Sequence, residues 1–245
     1  SAMDFNDLQI TTPASNIKGQ LGFAYQREDL KFFNDRVHIH ASFDTIDLST
    51  NDLGLFYQGF GDNINFRGST ELSGTLNQLK VTDLTLNFDQ NATLSGDIEL
   101  LDLFNGDSGL GIDGKIDQLK VNRYNVSNLF PSLLSSNARI VLDNLGSFDI
   151  SGDFEVSKSA IEANMDVRTD LGALNPKMTY AIEQNTLTGV FQLSQFHLGK
   201  LLDLNGLGLV SGQAKFALAN LDRKDISVEV EGDLEELTFR DYRYR

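Results

Sequence analysis

The chain has 245 residues, with 20 Lys+Arg against 35 Asp+Glu, a formal charge of −15, and neither Cys nor Trp. With 40% hydrophobic residues it reads as a folded acidic chain, long enough to bury a large apolar surface. The charge argues against a nucleic-acid binder and against docking on an anionic membrane, both of which need clustered cations. The absence of Cys excludes disulfides and Cys-based zinc sites.

In chain order, Ser1-Ala2-Met3 lacks the basic stretch and apolar core of a signal peptide and reads as an expression scar. No run approaches the ~20 apolar residues of a membrane span. Ile17, Gly19, Leu21, Phe23 and Tyr25 alternate, as do Val37, Ile39, Ala41 and Phe43. Ser49–Phe60, with Leu53, Phe56 and Phe60, breaks that pattern and predicts a short amphipathic helix. Alternation returns at Leu84, Leu86 and Phe88, and again at Leu94, Gly96, Ile98 and Leu100. A second helix is expected over Ser127–Ser135, where Leu129, Phe130, Leu133 and Leu134 cluster. Further strands are expected at Ile161, Ala163, Met165 and Val167, and at Ile226, Val228 and Val230. Between them, His197–Leu204 predicts a third short helix. Period-two apolarity gives strands with one greasy face and one wet face, and Asn and Asp cluster between them as turns require.

Segments of the chain also repeat. Residues 74–86 (GTLNQLKVTDLTL), 114–126 (GKIDQLKVNRYNV) and 232–244 (GDLEELTFRDYRY) share Gly-x-Leu/Ile-x-x-Leu-x-Val/Phe, with weaker echoes at Gly152 and Gly189. The starts at 74, 114, 152, 189 and 232 define a period near forty, as in a quasi-linear stack of repeats. The Leu-x-x-Leu step inside each strong copy skips a beat of alternation, and a bulge there would return both residues to one face.

The chemistry-bearing motifs are weak. Gly109, Gly111 and Gly114 spell G-x-G-x-x-G, but Ile112, Gly114 and Ile116 alternate into a strand where dinucleotide binding needs a helix. His38 and His40 share a strand face, and the remaining His197 lies far away in sequence. Asp102, Asn105, Asp107 and Asp113 lack the EF-hand spacing. No nucleophile elbow or paired catalytic carboxylates stand out, so the chain is read as a non-enzyme with no cofactor and no metal.

The pieces at 16–30, 49–63, 72–100, 191–216 and 230–245 together resemble the TamB/AsmA-like family, in its Bacteroidota-type C-terminal region. That resemblance implies a mainly β fold, an elongated, curved repeat sheet (a "β-taco" groove) with a few short helices. Residues 1–245 would be one continuous segment of a longer protein, periplasmic and anchored in the inner membrane by a part outside this chain. It further implies a segment of a lipid-transfer conduit carrying phospholipid acyl chains between the two membranes. The alternative is a periplasmic scaffold for outer-membrane β-barrel or autotransporter assembly, with a TamA/BamA-type barrel as partner. The candidate groove-lining residues are Leu76, Leu79, Val81, Leu84, Leu86, Phe88, Leu94, Ile98, Leu100, Ile112, Ile116, Leu119, Val121, Phe154, Val156, Phe191, Leu193, Leu234, Leu237 and Phe239. Periodicity leaves open whether these residues line a groove or the core of a closed sandwich, because both put Leu, Val and Phe on one side.

Overall fold

The computed structural model describes residues 1–54, 58–89, 91–104, 109–131, 142–220, 227–240 and 242–245. Among these, fourteen strands form one open, antiparallel sheet in which every strand pairs only with its neighbours in sequence. They are β1 (Ala2–Thr11), β2 (Asn16–Ala24), β3 (His38–Ser49), β4 (Asn65–Thr75), β5 (Gln78–Phe88), β6 (Ala92–Leu101) and β7 (Gly111–Asn122). The remainder are β8 (Ser147–Val156), β9 (Ala160–Thr169), β10 (Gly172–Ala181), β11 (Thr186–His197), β12 (Leu207–Ala219), β13 (Ser227–Phe239) and β14 (Tyr242–Tyr244). The chain is thus mainly β and elongated. Thirteen spacings of ~4.8 Å give a sheet about 62 Å across.

Short helices lie in the connections. A 3₁₀ turn (Asp29–Phe32) leads into α1 (Phe33–Arg36), which the alternation did not predict. The first expected helix is cut to α2 (Thr50–Leu53), where Ser49 caps the N-terminus by accepting from the Asn51 amide; residues 55–57, including Phe56, lie outside the described residues. The second starts earlier than expected, as α3 (Arg123–Leu129), because Asn122 at the end of β7 forms a capping box with Asn125. Leu133 and Leu134 of that expected helix are outside the described residues. Residues 142–145 form a further turn of helix, α4. The third expected helix is α5 (Leu198–Leu202), ended by Asp203 at φ 53°. Elements α2 to α5 all lie in odd-to-even connections, so they gather along one rim of the sheet.

A row of bulges crosses the sheet. The register slips at Phe5/Leu8 in β1, Phe43/Ile46 in β3, Val81/Leu84 in β5, Ile116/Leu119 in β7, Leu193/Phe196 in β11 and Leu234/Leu237 in β13. Each slip is an apolar-x-x-apolar step, and the first four begin at 5, 43, 81 and 116, the length of one bulged strand plus its partner. The bulges expected at Ile116/Leu119 and Leu234/Leu237 are therefore present. The Leu76/Leu79 step is instead the turn between β4 and β5, since Thr75 pairs with Gln78. Of the five repeat starts, Gly74 falls near the end of β4, while Gly114, Gly152, Gly189 and Gly232 lie inside β7, β8, β11 and β13.

Facing strands answer the bulges with glycine. Gly68 pairs with Ile46 of the β3 bulge, and a Cβ there would collide with the Thr85 carbonyl oxygen of β5; Gly152 (φ 139°) pairs with Ile116 of the β7 bulge and meets Met165 and the Asn164 carbonyl in the same way. Neighbouring side chains hold the bulged amides: Asp97 accepts from Asp83 N at 3.0 Å, and Ser211 Oγ accepts from Gln195 N at 3.0 Å.

Candidate functional site

Register alone separates the two faces. One row runs Met3, Phe23, Ile39, Gly74, Leu79, Leu100, Ile112, Val156, Ile161, Tyr180, Leu187, Leu218 and Val228, each residue paired across to the next. One step along each strand, the adjacent row reads Asp4, Gly22, His40, Ser73, Lys80, Glu99, Asp113, Glu155, Glu162, Thr179, Thr188, Ala217 and Glu229. Thirteen strands thus present one apolar stripe on one side and one polar stripe on the other. A one-residue slip would exchange them, and the bulges keep them in phase where the alternation skips.

Among the described residues the stripe has no second layer over most of its length. Its side chains are mostly half-buried, whereas full burial is confined to the covered margins. Under α3, Ile64, Phe88 and Ala92 form a small core with Phe66, Leu94, Leu119, Val121 and Leu129 packed against it. Asn125 pins that helix to the β5–β6 turn, its Nδ2 donating to the Asp89 carbonyl at 2.7 Å. At the opposite rim beside α1, Val37, Ile39 and Ala41 are buried, and Phe23 packs on Phe33 at 6.0 Å.

An apolar recess lies toward the β13 end. It has a volume of about 460 Å³ and a floor built from β10 to β13: Leu174, Phe191, Leu193, Phe196, Val210, Ala214, Val230 and Leu234. Leu198 and Leu201 of α5 and Leu145 of α4 stand over it. Asn144 Nδ2 donates to the Leu201 carbonyl at 3.1 Å and ties the two helices together. The recess is open on one side and almost wholly carbon-lined, with Gln213 the one polar side chain at it, which suits a flexible hydrocarbon.

Of the candidate groove residues, all but Leu76 fall on this one face. Leu79, Val81, Leu84, Leu86 and Phe88 come from β5; Leu94, Ile98 and Leu100 from β6; Ile112, Ile116, Leu119 and Val121 from β7; Phe154 and Val156 from β8. Phe191 and Leu193 lie in β11, with Leu234, Leu237 and Phe239 in β13. Leu76 sits in the β4–β5 turn, off the ladder. Leu79 and Phe88, each 7% exposed, are packed core at the margins rather than open lining. The structure adds residues that sequence reasoning passed over: the stripe on β1 to β4, and the recess residues Leu174, Phe196, Val210 and Val230. Their alternation was readable in the sequence, but which strands meet under α5 was not.

The other motifs are placed as follows. Gly111 and Gly114 lie in β7, so a strand follows the glycines where a dinucleotide needs a helix N-terminus. His38 and His40 project from the polar face, and His40 Nε2 lies 3.4 Å from Asp4 Oδ1. His197 stands at the start of α5, across the sheet. Asn105 and Asp107 are outside the described residues. Among the described residues, no three His, Asp or Glu side chains gather closely enough to hold a metal ion.

These features define a single-layer antiparallel meander with an open apolar face, α2 to α5 along one rim and α1 at the other. No protein-family profile, curated protein or solved structure matches the chain.

Proposed function

We propose that this chain is a segment of a lipid-transfer conduit, its apolar face carrying phospholipid acyl chains while headgroups remain in water. The observation that supports the reading is the apolar stripe across thirteen strands, interrupted by Gly74, which no second layer covers over most of its length among the described residues. Each methylene withdrawn from water contributes about 0.8 kcal/mol wherever it sits. A hydrocarbon tail on such a stripe gains binding energy without a preferred stopping point, which is what transit requires and a fixed pocket does not provide. The recess under α5 is a wider, partly roofed station on the same path. The −15 charge keeps the carrier dispersed in water. The resemblance of the sequence to TamB/AsmA-like proteins points the same way, toward a periplasmic carrier between inner and outer membranes.

Native mass spectrometry of the purified chain tests this reading, before and after detergent delipidation and after reloading with phosphatidylethanolamine vesicles. The expected result is a phospholipid adduct that delipidation removes and reloading restores, and that Leu193→Glu abolishes at the recess. A bare polypeptide mass that stays unchanged after reloading overturns the proposal.

A further inference from the structure

Beyond lipid carriage, the opposite face of the sheet divides into rows of contrary charge. The polar row from Asp4 to Glu229 carries six carboxylates, Asp4, Glu99, Asp113, Glu155, Glu162 and Glu229, against one lysine, Lys80. Six residues along β8, about 20 Å from Glu155, Asp149 belongs to a different row. That row runs Arg67, Asn87, Thr93, Lys120, Asp149 and Arg168 across β4 to β9, each residue paired with the next. Even with Asp47, which pairs with Arg67 from β3, cations outnumber carboxylates here by three to two. The row lies inside the sheet, at least three strands from either end.

Two adjoining hollows follow it beside the rim that carries α2 to α5. One, of about 440 Å³, is lined by Arg67 and Asn87; the other, of about 370 Å³, is lined by Lys120, Asp149 and Arg168, and Asn91 lines both. Arg67 Nε lies 3.3 Å from Asp47, and Lys120 Nζ lies 4.0 Å from Asp149. The side chains of Asn87, Asn91 and Arg168 have no hydrogen-bond or ion-pair partner among the described residues.

The carboxylate-rich row repels an anion, and this row draws it in. In register, Lys120 and Arg168 stand about 10 Å apart, and Arg67 about 14 Å from Lys120, so the matching ligand is a chain with acid groups at intervals. Between the cations lie amides, a hydroxyl and the Asp149 carboxylate. Amides and hydroxyls both donate and accept, whereas a carboxylate only accepts. A run of adjacent acids would set charge against Asp149, while hydroxyl groups between the acids would satisfy it. Acids spaced among many hydroxyls are the chemistry of an acidic saccharide; an acidic peptide offers few O–H donors.

We propose that the row from Arg67 to Arg168 binds an acidic oligosaccharide, its carboxylates on Arg67, Lys120 and Arg168 and its hydroxyls on Asn87, Asn91 and Asp149. The free guanidinium of Arg168 is the group suited to a two-bond contact with a carboxylate.

The test is fluorescence anisotropy of the full, delipidated chain with a labelled hexasaccharide that alternates glucuronic acid with N-acetylglucosamine. Delipidation makes the result independent of lipid carriage, and salt at about 0.15 M screens loose charge attraction. Two comparison ligands are used: the same sugar with its carboxylates reduced to alcohols, and a peptide alternating Glu with Ser that carries the same number of acids. The acidic sugar should bind at least tenfold tighter than both. Arg67→Gln/Arg168→Gln should weaken it at least tenfold. Lys80→Gln/Lys177→Gln, which removes two cations elsewhere on the polar face, should leave it unchanged, and circular dichroism confirms that each variant is folded. Equal binding of the reduced sugar overturns the role of the cations, and equal binding of the peptide overturns the saccharide assignment. Equal weakening by Lys80→Gln/Lys177→Gln overturns the assignment to this row, and no binding by the acidic sugar overturns the proposal outright.

Discussion

At the scale of single residues, the sheet depends on positions where a side chain cannot fit. Gly152 lies at φ 139° with Met165 and the Asn164 carbonyl against it, so Gly152→Ala is both strained and crowded. It should cost about 1–3 kcal/mol, which lowers Tm by several degrees at ~2–4 °C per kcal/mol for a chain of this size. Gly54→Ala is the control: its backbone is helical at φ −59° and the nearest atoms are in ordinary contact, so Tm should move by less than about 2 °C. Asp52 supplies a pH-dependent tie, accepting hydrogen bonds from Thr12 and Ser15 of the β1–β2 turn. Those bonds, Ser15 first, hold its carboxyl below the usual range. A depressed acid stabilises the fold above its ordinary value of ~4 and loses that contribution as pH falls through the depressed one. The Tm difference between the native chain and Asp52→Asn should therefore shrink as pH is lowered from 6 to 2; a constant difference would show that the charge plays no part. Single residues also mark the limit of legibility. Asn122 reads as the polar end of a strand, and only the structure shows it capping α3.

At the scale of elements, alternation made the strands legible because a sheet wet on one side must alternate. The apolar-x-x-apolar steps made the bulges legible as a type. Their phase was less so, because a skipped beat looks the same in a bulge and in a two-residue turn, as Leu76/Leu79 and Ile116/Leu119 illustrate. The helices are too short for periodicity to fix, and each is held by a specific tie to the rim. For α3 that tie is Asn125, 3% exposed, within its capping box and bonded to Asp89. Asn125→Ala removes one half of the capping box, leaving the Asn122 amide and the Asp89 carbonyl without their Asn125 partner, a loss of about 1–3 kcal/mol. The expected consequence is a drop of several degrees in Tm together with faster hydrogen exchange at Phe88 and Leu94. A fall in Tm with unchanged exchange there would separate α3 from the small core beneath it.

At the scale of the whole molecule, the open face distinguishes this chain from a sandwich. A compact chain of 245 residues has a radius of gyration of about 18 Å, and a single layer about 62 Å across should exceed it. Solution scattering of the monomer at the compact value would contradict the single layer. Paired substitutions probe the same point. Leu86 is half-buried on the open stripe, so Leu86→Glu can turn its charge to water and should leave the chain folded. Phe88, 7% exposed in the core under α3, has no such escape, and Phe88→Glu should cost at least ~3 kcal/mol. Equal destabilisation by the two would indicate that the stripe is covered. The sequence left core and groove undecided because both place the same residues on one side. Strand order is what decides between them, and it depends on pairings that periodicity does not encode.

The central claim is that hydrocarbon travels on the apolar face, and photo-crosslinking with a phospholipid carrying a diazirine in its acyl chain tests it most directly. After irradiation and peptide mapping, adducts are predicted on the stripe across several strands, among them Leu86, Ile98, Phe154, Leu193 and Val230, with the polar row from Asp4 to Glu229 unlabelled. Labelling spread equally over both faces, or its absence from the stripe, would contradict the account.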